Sequence, residues 1–436
     1  MSLCPEPLAS RGFRRIGKVF NGIYRLQRFS FFALLSVVCL PLSLSFASES
    51  DGEAAFSACI ANLQSIARRR AVPEPVVTEV LGALRHQPRV IELDRSQPEF
   101  RQSFSAYLRA RVSDTRVRRG RELLATHRRL LDRLTREYGI PGHYLVSFWG
   151  METNFGSYLG SMPTLDSLAT LACDPRRREF FTGELITALL LISREQLDPD
   201  AMRGSWAGAM GHTQFMPSAY ASHAVDGDGD GRINLWKSEV DALASAANYL
   251  AQLGWRRSER WGREVMLPDG FPYGQTGLAH SAPLADWRAL GVRQADGSEL
   301  PTADMQASIL VPMGHEGPAF MVYANFEVIM AWNRSQAYAL AVGHLADRIA
   351  GGGRLTAALP EVETAPARTR IAALQRGLAE AGFDPGEPDG MLGPATRSAL
   401  RAWQQANDRV ADGYPDPETL SALGANPLEQ QGNIEE

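Results

Sequence analysis

Helical periodicity dominates residues 54–255 and constrains the fold of this chain more than any other feature. Residues 119–138 are a long example, because leucines recur along one side of the segment and arginines along the other. We predict a single amphipathic helix there, with the arginines on a solvated face. The leucines that define its apolar side are Leu123, Leu124, Leu130, Leu131 and Leu134.

The pattern changes in the second half of the chain. Prolines and glycines interrupt short apolar runs between residues 259 and 311, which predicts a small β-containing lobe. Helical periodicity returns over residues 325–349. The chain has 436 residues, of which 44% are hydrophobic, so it is long enough to form more than one core. We therefore predict an α+β fold that is mostly α-helical.

One carboxylate, Glu152, lies on the apolar face of a predicted helix that begins after Pro141 and ends at Gly156. The residues three, four and seven positions before it are apolar and share that face. An apolar environment disfavours the charged form, so the pKa of Glu152 should rise and the side chain should hold a proton near neutral pH. A protonated carboxyl can serve as a general acid. The alternative is a structural glutamate at the edge of the core that has a backbone partner.

A second informative segment, GSWAGAMGHTQFMPS, follows at residues 204–218. Its glycines let the backbone approach a flat ligand closely. Ser205 and Gln214 supply hydrogen-bonding groups, and Phe215 offers an aromatic face. This composition is more typical of a ligand-binding segment than of a packed core.

Together, the Glu152 helix and this segment resemble the lysozyme-like lytic murein transglycosylases of the B type, which are glycoside hydrolase family 103. The resemblance covers residues 56–351. Further matching segments are RVIELD at 89–94, PRR at 175–177, the aspartate-rich loop at 226, NYL at 248–250, and Trp332-Asn333 with Tyr338. The resemblance implies a lysozyme-like catalytic domain, which we place at residues 54–350.

The resemblance also implies a reaction, and it implies no cofactor for catalysis. Members cleave the β-1,4 bond between N-acetylmuramic acid and N-acetylglucosamine in peptidoglycan and leave a 1,6-anhydro end, in cell-wall turnover and remodelling. Glu152 would protonate the leaving oxygen and then accept a proton from the muramoyl C6 hydroxyl. One carboxylate suffices because the nucleophile is intramolecular.

Matched positions imply contacts with the substrate. Ser205 and Gln214 would hydrogen-bond sugar near the cleavage point, and Phe215 would stack beside it. The other implied contacts are Tyr249 and Tyr338 (with glycan or with Glu152), Asn333 beside Tyr338, Tyr107 along the groove, and Arg176 and Arg177 facing the carboxylates of the stem peptide. For each aromatic residue, packing in the core is the alternative. Trp332 replaces a tyrosine that is common in the family, which puts a hydroxyl role there in doubt.

Two other functions are consistent with these motifs. A goose-type, lysozyme-like hydrolase shares the single glutamate and would leave reducing ends. A non-catalytic, wall-binding scaffold protein would need only the binding surfaces, but the Glu152 helix and the Gln214 segment argue against it.

The acidic loop DGDGDGRIN at residues 226–234 follows the first half of an EF-hand calcium loop. The residues at loop positions one, three, five and seven are Asp226, Asp228, Asp230 and Arg232, the last through its backbone carbonyl. Lys237 occupies position twelve and cannot chelate, so we expect Asp241, or failing that Glu239, to close the site. Hard oxygen ligands suit a structural calcium ion. The alternative is a solvated acidic turn.

The sequence predicts that the C-terminal part is a separate module. Residues 351–369 are rich in glycine, proline, alanine and threonine and read as a linker. Residues 370–424 resemble the small three-helix peptidoglycan-binding domain, through LQ at 374–375, DG at 389–390, GPAT at 393–396 and WQ at 403–404. A generic helical bundle is the alternative for the pattern alone. We expect residues 425–436 to form a mobile tail.

The N-terminus resembles an export signal. Six basic residues precede an apolar run at residues 29–46, and Ser45-Phe46-Ala47 is a small-residue cleavage site, so we expect residues 1–47 to be a signal peptide. Pro41 and several serines interrupt the run, and an uncleaved membrane anchor is the alternative. We therefore predict a periplasmic location.

Export has two further consequences. Loss of residues 1–47, with their six basic residues and one acidic residue, leaves a net charge of −9, which argues against nucleic acid as a partner. It also leaves only Cys59 and Cys173, for which we predict a disulfide; two separate buried thiols are the alternative. The expected partner is the peptidoglycan glycan strand, with cell-wall synthesis proteins as further candidates, and we expect a monomer.

Overall fold

The structure is a computed structural model that describes residues 47–96, 102–359 and 366–425. The expected signal peptide, apart from Ala47, and all but the first residue of the expected tail lie outside the described residues. None of the described helices is both long enough and apolar enough to span a membrane.

Helices dominate the first part of the described chain. They are α1 (Ala47–Arg69), α2 (Pro88–Ser96), α3 (Phe104–Arg111), α4 (Asp114–Thr126), α5 (Arg128–Tyr138), α6 (Gly142–Thr153), α7 (Thr164–Cys173), α8 (Arg178–Glu195), α9 (Pro217–His223) and α10 (Glu239–Gln252). A two-stranded antiparallel ribbon joins the loop after α6 to the loop after α8. Its strands are β1 (Met162–Pro163) and β2 (Arg203–Gly204).

A small sheet follows, as the sequence predicts. Its strands are β3 (Gly262–Met266), β4 (Ala282–Pro283), β5 (Arg293–Gln294), β6 (Gln306–Leu310) and β7 (Ala319–Val322), with the short helix α11 (Leu284–Ala289) between β4 and β5. The order is β4-β6-β7-β3-β5, and all the pairings are antiparallel. The lobe extends beyond the predicted limit at residue 311, because β7 pairs with both β3 and β6.

The remaining helices are α12 (Ala324–Trp332), α13 (Gln336–Ile349), α14 (Arg368–Glu380), α15 (Pro394–Ala406) and α16 (Pro417–Ala422). The last three helices form the predicted C-terminal bundle around their own small core, which includes Leu374, Leu400 and Leu420. The α+β, mostly α-helical fold is thus confirmed.

Two predicted helices are each interrupted. The segment at 119–138 is two helices, α4 and α5, which meet at His127. The His127 ring packs edge-on against Trp149 with centroids 5.6 Å apart, and its Nε2 lies 3.2 Å from a carboxylate oxygen of Glu239. The segment at 325–349 is α12 and α13, because Ser335 caps α13 by accepting a hydrogen bond from the Tyr338 amide. The prediction of one continuous helix at 119–138 was wrong, and the helical segment at 325–349 is likewise divided in two.

The helical part packs around two apolar cores. One core surrounds α6 and α13 and includes Phe148, Trp149 and Leu345. The other core lies among α1, α7 and α8 and includes Leu63, Leu168 and Leu189. A disulfide between Cys59 and Cys173, with Cα atoms 5.9 Å apart, joins α1 to the end of α7.

The start of the predicted linker is not independent of the catalytic part. The Glu264 carboxylate on β3 accepts hydrogen bonds from the amides of Thr356 and Ala357, each at 2.8 Å. Residues 356 and 357 therefore lie against the sheet. Residues 360–365 lie outside the described part.

Candidate active site

Helix α6 positions Glu152 one residue before the helix ends. Nearly all of the helix is buried, and the Arg116 Nη1 group donates to the Gly150 carbonyl at 2.8 Å. The helix ends at Thr153 rather than at Gly156, because Asn154 (φ 50°) and Phe155 (φ 60°) adopt the left-handed conformation. Glu152 consequently stands at the point where the backbone turns away, and its side chain remains half-buried.

Two donors contact one oxygen of Glu152. The Trp332 indole N–H donates to Glu152 Oε1 at 2.9 Å, and the Tyr338 hydroxyl donates to the same atom. Trp332 is the last residue of α12, and Tyr338 lies in the first turn of α13. The break between α12 and α13 thus brings both groups to the carboxyl.

Burial and the neighbouring groups have opposite effects on the pKa of Glu152, and burial dominates. Burial raises the pKa of Glu152 to about 7, against the lowering effects of the hydrogen bonds from Tyr338 and Trp332 and of the Arg111 charge. A carboxyl with this pKa can exist in either form near neutral pH. It has the acid–base range that the sequence predicts for a proton donor.

The glycine-rich segment folds back on itself as a tight loop next to this carboxyl-bearing helix. The Ser205 amide donates to the Ala209 carbonyl at 2.9 Å, and the Ser205 Oγ accepts from the Ala209 amide at 3.0 Å. A Cβ at Gly204 would lie 2.1 Å from the Ala209 carbonyl oxygen, so the loop requires glycine there. The segment is joined to α6 through Thr153, whose hydroxyl donates to the His212 carbonyl at 3.0 Å.

Gln214 has a left-handed backbone conformation, and its side-chain amide nitrogen already donates two hydrogen bonds. Its φ is 48°, and its Nε2 group donates to the carbonyls of Leu159 (3.1 Å) and Gly211 (3.0 Å). Within the described chain, no donor contacts its Oε1. Gln214 therefore presents an acceptor oxygen, whereas Ser205 uses its hydroxyl oxygen to shape the loop.

Phe215 does not provide the exposed stacking face that was expected. Its side chain is only 2% exposed, because the rings of Tyr249 and Trp332 cover it, each with a centroid 5.4 Å away. Those two rings keep exposed surface and form the aromatic wall of the site. Tyr249 also stacks on His223 at 4.5 Å.

The other tyrosines and Asn333 have distinct places. Tyr338 is buried and contacts Glu152, which is one of the two contacts expected of it. Asn333 is exposed, and its Oδ1 accepts from the Ser335 amide at 3.1 Å, which shapes the turn before α13. Tyr107 is half-buried, and the nearby Glu152 charge contributes to its raised pKa, after burial as the larger cause.

Arg176 and Arg177 share a partner within the protein that the sequence did not predict. Arg176 forms a bidentate pair with the buried Asp94 carboxylate, with contacts of 2.8 and 2.7 Å, and Arg177 also donates to it. Asp94 is 3% exposed, so its charge requires these cations. Both arginines share their charge with Asp94, yet their side chains remain 47% and 38% exposed. A role facing the carboxylates of the stem peptide stays a prediction.

The acidic loop brings three carboxylates together. Oxygens of Asp226, Asp228 and Asp230 lie within 4.8 Å of one another. Asp241 is outside this cluster: its two oxygens accept from the amides of Gly227 (2.9 Å) and Asn234 (2.8 Å). It closes the loop by hydrogen bonds, which corrects the expectation that it chelates directly.

The other residues considered for the calcium loop have the following contacts. Glu239, the second choice for closing the site, contacts His127 instead. The amide of Arg232 donates to Asp230 Oδ1 at 2.8 Å, and Ser238 donates its hydroxyl to Asp228 at 3.0 Å. The oxygen donors that remain suit a hard divalent cation such as calcium.

Sequence reasoning missed two residues near the carboxyl. Trp332 was considered only for the hydroxyl it lacks, although its ring nitrogen is a donor. Arg111 acts on the pKa of Glu152 through its charge, and its Nε is buried without a partner in the described chain. A signal for Arg111 existed in the sequence, since it lies one helical turn after Tyr107.

Comparisons with known proteins show which family this chain belongs to. Residues 55–347 match the family described as "Transglycosylase SLT domain", and residues 367–423 match "Putative peptidoglycan binding domain". The chain is 41% identical over 229 residues to the membrane-bound lytic murein transglycosylase B of Escherichia coli K12. That match covers 50% of this chain and 60% of the relative.

Solved structures of the same kind are also similar. SltB3 from Pseudomonas aeruginosa, in complex with NAG-anhNAM-pentapeptide, is 42% identical with a TM-score of 0.81. The match covers 85% of this chain and 99% of that one. The Escherichia coli lytic transglycosylase Slt35, in complex with calcium, is 31% identical with a TM-score of 0.58, over 67% of this chain and 93% of that one.

Proposed function

Because the chain belongs to the transglycosylase SLT-domain family, we propose that it is a lytic transglycosylase that cleaves the glycan of peptidoglycan with Glu152 as its single acid–base group. The observation that carries this proposal is the half-buried carboxyl at the end of α6, whose pKa of about 7 lets it both give and take a proton. The peptidoglycan-binding module supports the choice of substrate.

The proposed cycle uses one carboxyl twice. Glu152 first gives its proton to the oxygen that links N-acetylmuramic acid to N-acetylglucosamine, and that bond breaks. The resulting carboxylate then takes the proton of the muramoyl C6 hydroxyl as this oxygen bonds to C1, which forms the 1,6-anhydro ring and restores the acid. No second carboxylate is needed because the attacking group belongs to the substrate.

The surrounding groups have binding roles in this proposal. Tyr249 and Trp332 present their exposed ring surfaces to sugar, and the Gln214 Oε1 atom accepts from a sugar hydroxyl or amide. Carbohydrate sites commonly combine aromatic faces with a few fixed polar groups. Tyr107 lies close enough to Glu152 and Arg111 for both charges to act on its pKa, although burial is the larger cause of its rise.

Product analysis separates this proposal from its rivals. Digestion of purified sacculi should release anhydro-muropeptides. A lysozyme-like hydrolase would release products with reducing ends, heavier by one water, and a scaffold protein would release none. Mass spectrometry of the products therefore tests the reaction type directly.

The role of Glu152 is tested by Glu152→Gln, which keeps the shape and removes the transferable proton. We expect the rate of sacculus cleavage to fall by about 10²- to 10⁴-fold, while sacculus binding in a pull-down is retained. Glu122→Gln on the exposed face of α4 is the matched control, and it should cleave at the wild-type rate. Cleavage by Glu152→Gln at the control rate would refute the assignment.

We also propose that the acidic loop holds a structural calcium ion. The carboxylates of Asp226, Asp228 and Asp230 would hold it, and the Arg232 carbonyl would contribute a further oxygen. The calcium complex of the similar Slt35 structure supports this choice of ion. A periplasmic location is consistent with the proposed substrate and with the expected signal peptide.

A further inference from the structure

We propose that Trp332 is a positioning residue that determines which oxygen of Glu152 carries the catalytic proton. This inference rests on the proposed acid–base role of Glu152. Its basis is geometric: the Trp332 indole N–H points at Oε1 at 2.9 Å, and the Tyr338 hydroxyl contacts the same oxygen. Within the described residues, no protein donor contacts Oε2.

The Trp332 indole and the Tyr338 hydroxyl differ in the hydrogen bonds that they can make with Oε1. An indole nitrogen can only donate a hydrogen bond, whereas a tyrosine hydroxyl can donate or accept. If Oε1 carried the proton, that proton could point to the Tyr338 oxygen after rotation of the hydroxyl. The Trp332 N–H would then face a protonated oxygen and lose much of its hydrogen bond. Trp332 therefore keeps Oε1 as an acceptor and places the proton on Oε2.

The indole is held in this orientation by its neighbours. Its ring packs against Phe148 (centroids 4.6 Å apart), Tyr249 (5.2 Å) and Phe215 (5.4 Å). These three rings come from α6, from α10 and from the glycine-rich segment. Because packing fixes the ring plane, the direction of the N–H is set before substrate binds.

The consequence is a productive geometry for proton transfer. Among the described residues, no donor contacts Oε2 of Glu152, so a proton on that atom is available to the glycosidic oxygen. A proton on Oε1 would be hydrogen-bonded to Tyr338 and would be unavailable. The phenolic oxygen of Tyr338 alone could not distinguish the two states, since it stabilises either one.

The titratable and charged groups around Glu152 come from two other helices. Tyr338 lies on α13, and Tyr107 and Arg111 lie on α3. Tyr249 on α10 lies against the Trp332 ring. Trp332 does not titrate, so its replacement changes the Glu152 carboxyl without adding or removing a charge.

The test replaces only the N–H. Incorporation of 3-benzothienylalanine at position 332 keeps the bicyclic shape and removes the donor. Trp332→Phe also removes the donor, but it shortens the ring system as well. We expect kcat on soluble glycan fragments to fall by about tenfold, with a smaller change in KM. The alkaline limb of kcat/KM should move up by roughly one pH unit, because the lost donor stabilised the ionised carboxylate.

Two comparisons separate this role from simple packing. Trp287→Phe is the control, because the Trp287 indole donates to the Ala307 carbonyl at 2.9 Å within the β lobe and not to Glu152. Its pH profile should match that of the wild type. In a Tyr338→Phe background, loss of the Trp332 N–H should lower kcat by a smaller factor than in the wild type. A proton on Oε1 then has no Tyr338 oxygen to accept it, so it is not withheld from the substrate.

The outcomes are distinguishable from those for the proposed function. If Glu152→Gln is inactive but the benzothienyl variant has wild-type kcat and pH profile, the role of Trp332 is overturned and the role of Glu152 stands. If Glu152→Gln cleaves at the wild-type rate, the proposed function fails first. If the Trp332→Phe effect is equally large in the Tyr338→Phe background, Trp332 contributes only to packing.

Discussion

At the scale of single residues, opposing effects act on the Glu152 carboxyl. Burial favours the neutral form, and the donors Tyr338 and Trp332, with the Arg111 charge, favour the ionised form. Burial dominates, so the pKa lies at about 7 rather than near the ordinary 4.5. The folded protein therefore binds a proton more tightly than the unfolded chain does, and this difference links stability to pH.

The sign of that linkage gives a prediction. The contribution of Glu152 to stability is fully present below about pH 4.5, declines as the pH rises, and is lost above the folded-state pKa of about 7. Glu152→Gln does not titrate. Above pH 7 the variant should therefore be more stable than the wild type by on the order of 2 kcal/mol.

This prediction is checked by melting temperatures of both proteins between pH 5 and pH 8. The difference in melting temperature should grow in favour of Glu152→Gln by a few degrees over that range. Glu122→Gln, which changes an exposed carboxylate, should follow the wild-type curve at every pH. A pH-independent difference between Glu152→Gln and wild type would contradict a raised pKa.

At the scale of elements, the acidic loop is organised by its own backbone. The Asp226 carboxylate accepts from the amides of Gly229 (2.6 Å) and Gly231 (2.8 Å), and Asp241 fastens the loop to the start of α10. These contacts hold three carboxylates close together. Their mutual repulsion is relieved when a cation lies among them.

The loop therefore predicts calcium-dependent stability. Calcium at about 100 times its dissociation constant should stabilise the native state by about 2.7 kcal/mol and raise the melting temperature by several degrees relative to chelator. Asp228→Ala should abolish the difference between calcium and chelator. Asp296→Ala, in an exposed turn of the β lobe, is the control and should retain it. Identical melting curves with calcium and with chelator in the wild type would leave the loop as an acidic turn.

At the scale of the whole molecule, the C-terminal module is joined to the β lobe. The His315 amide and its Nδ1 atom contact Asp412 Oδ2 at 2.9 and 2.7 Å, and Asp412 is 4% exposed. A Cβ at Gly314 would lie 2.7 Å from the same carboxylate, so the two surfaces approach closely. The described residues from Asp51 onward belong to one compact unit.

This contact should restrict motion between the lobe and the module. His315→Ala removes the ring contact but leaves Asp412 with its partners inside the module, namely Gln404 and Tyr414. We expect electron–electron distances between spin labels at the exposed Ala303 and Ala379 to become more broadly distributed in this variant. His280→Ala, which changes an exposed histidine of the same lobe, should leave the distribution narrow. Equal widths in all three proteins would show that the ring contact does not restrain the module.

The sequence alone determined the features that depend on local spacing and residue chemistry. Helical periodicity placed Glu152 on an apolar face, the turn signals divided the C-terminal module into three helices, and the alternation of aspartate and glycine defined the acidic loop. These inferences succeed because side chains a few positions apart in a regular element have known relative directions.

Only the tertiary structure decided what each side chain meets. Trp332 and Tyr338 are 180 and 186 positions from Glu152, and Asp94 is 82 positions from Arg176, so no spacing rule relates them. Phe215 has an aromatic ring suited to stacking, yet other rings cover it. The chemistry of a residue is local, whereas its burial and its partners follow from how distant elements pack. That packing determined which carboxyl oxygen stays an acceptor, which arginines already have a partner, and how Asp241 closes its loop.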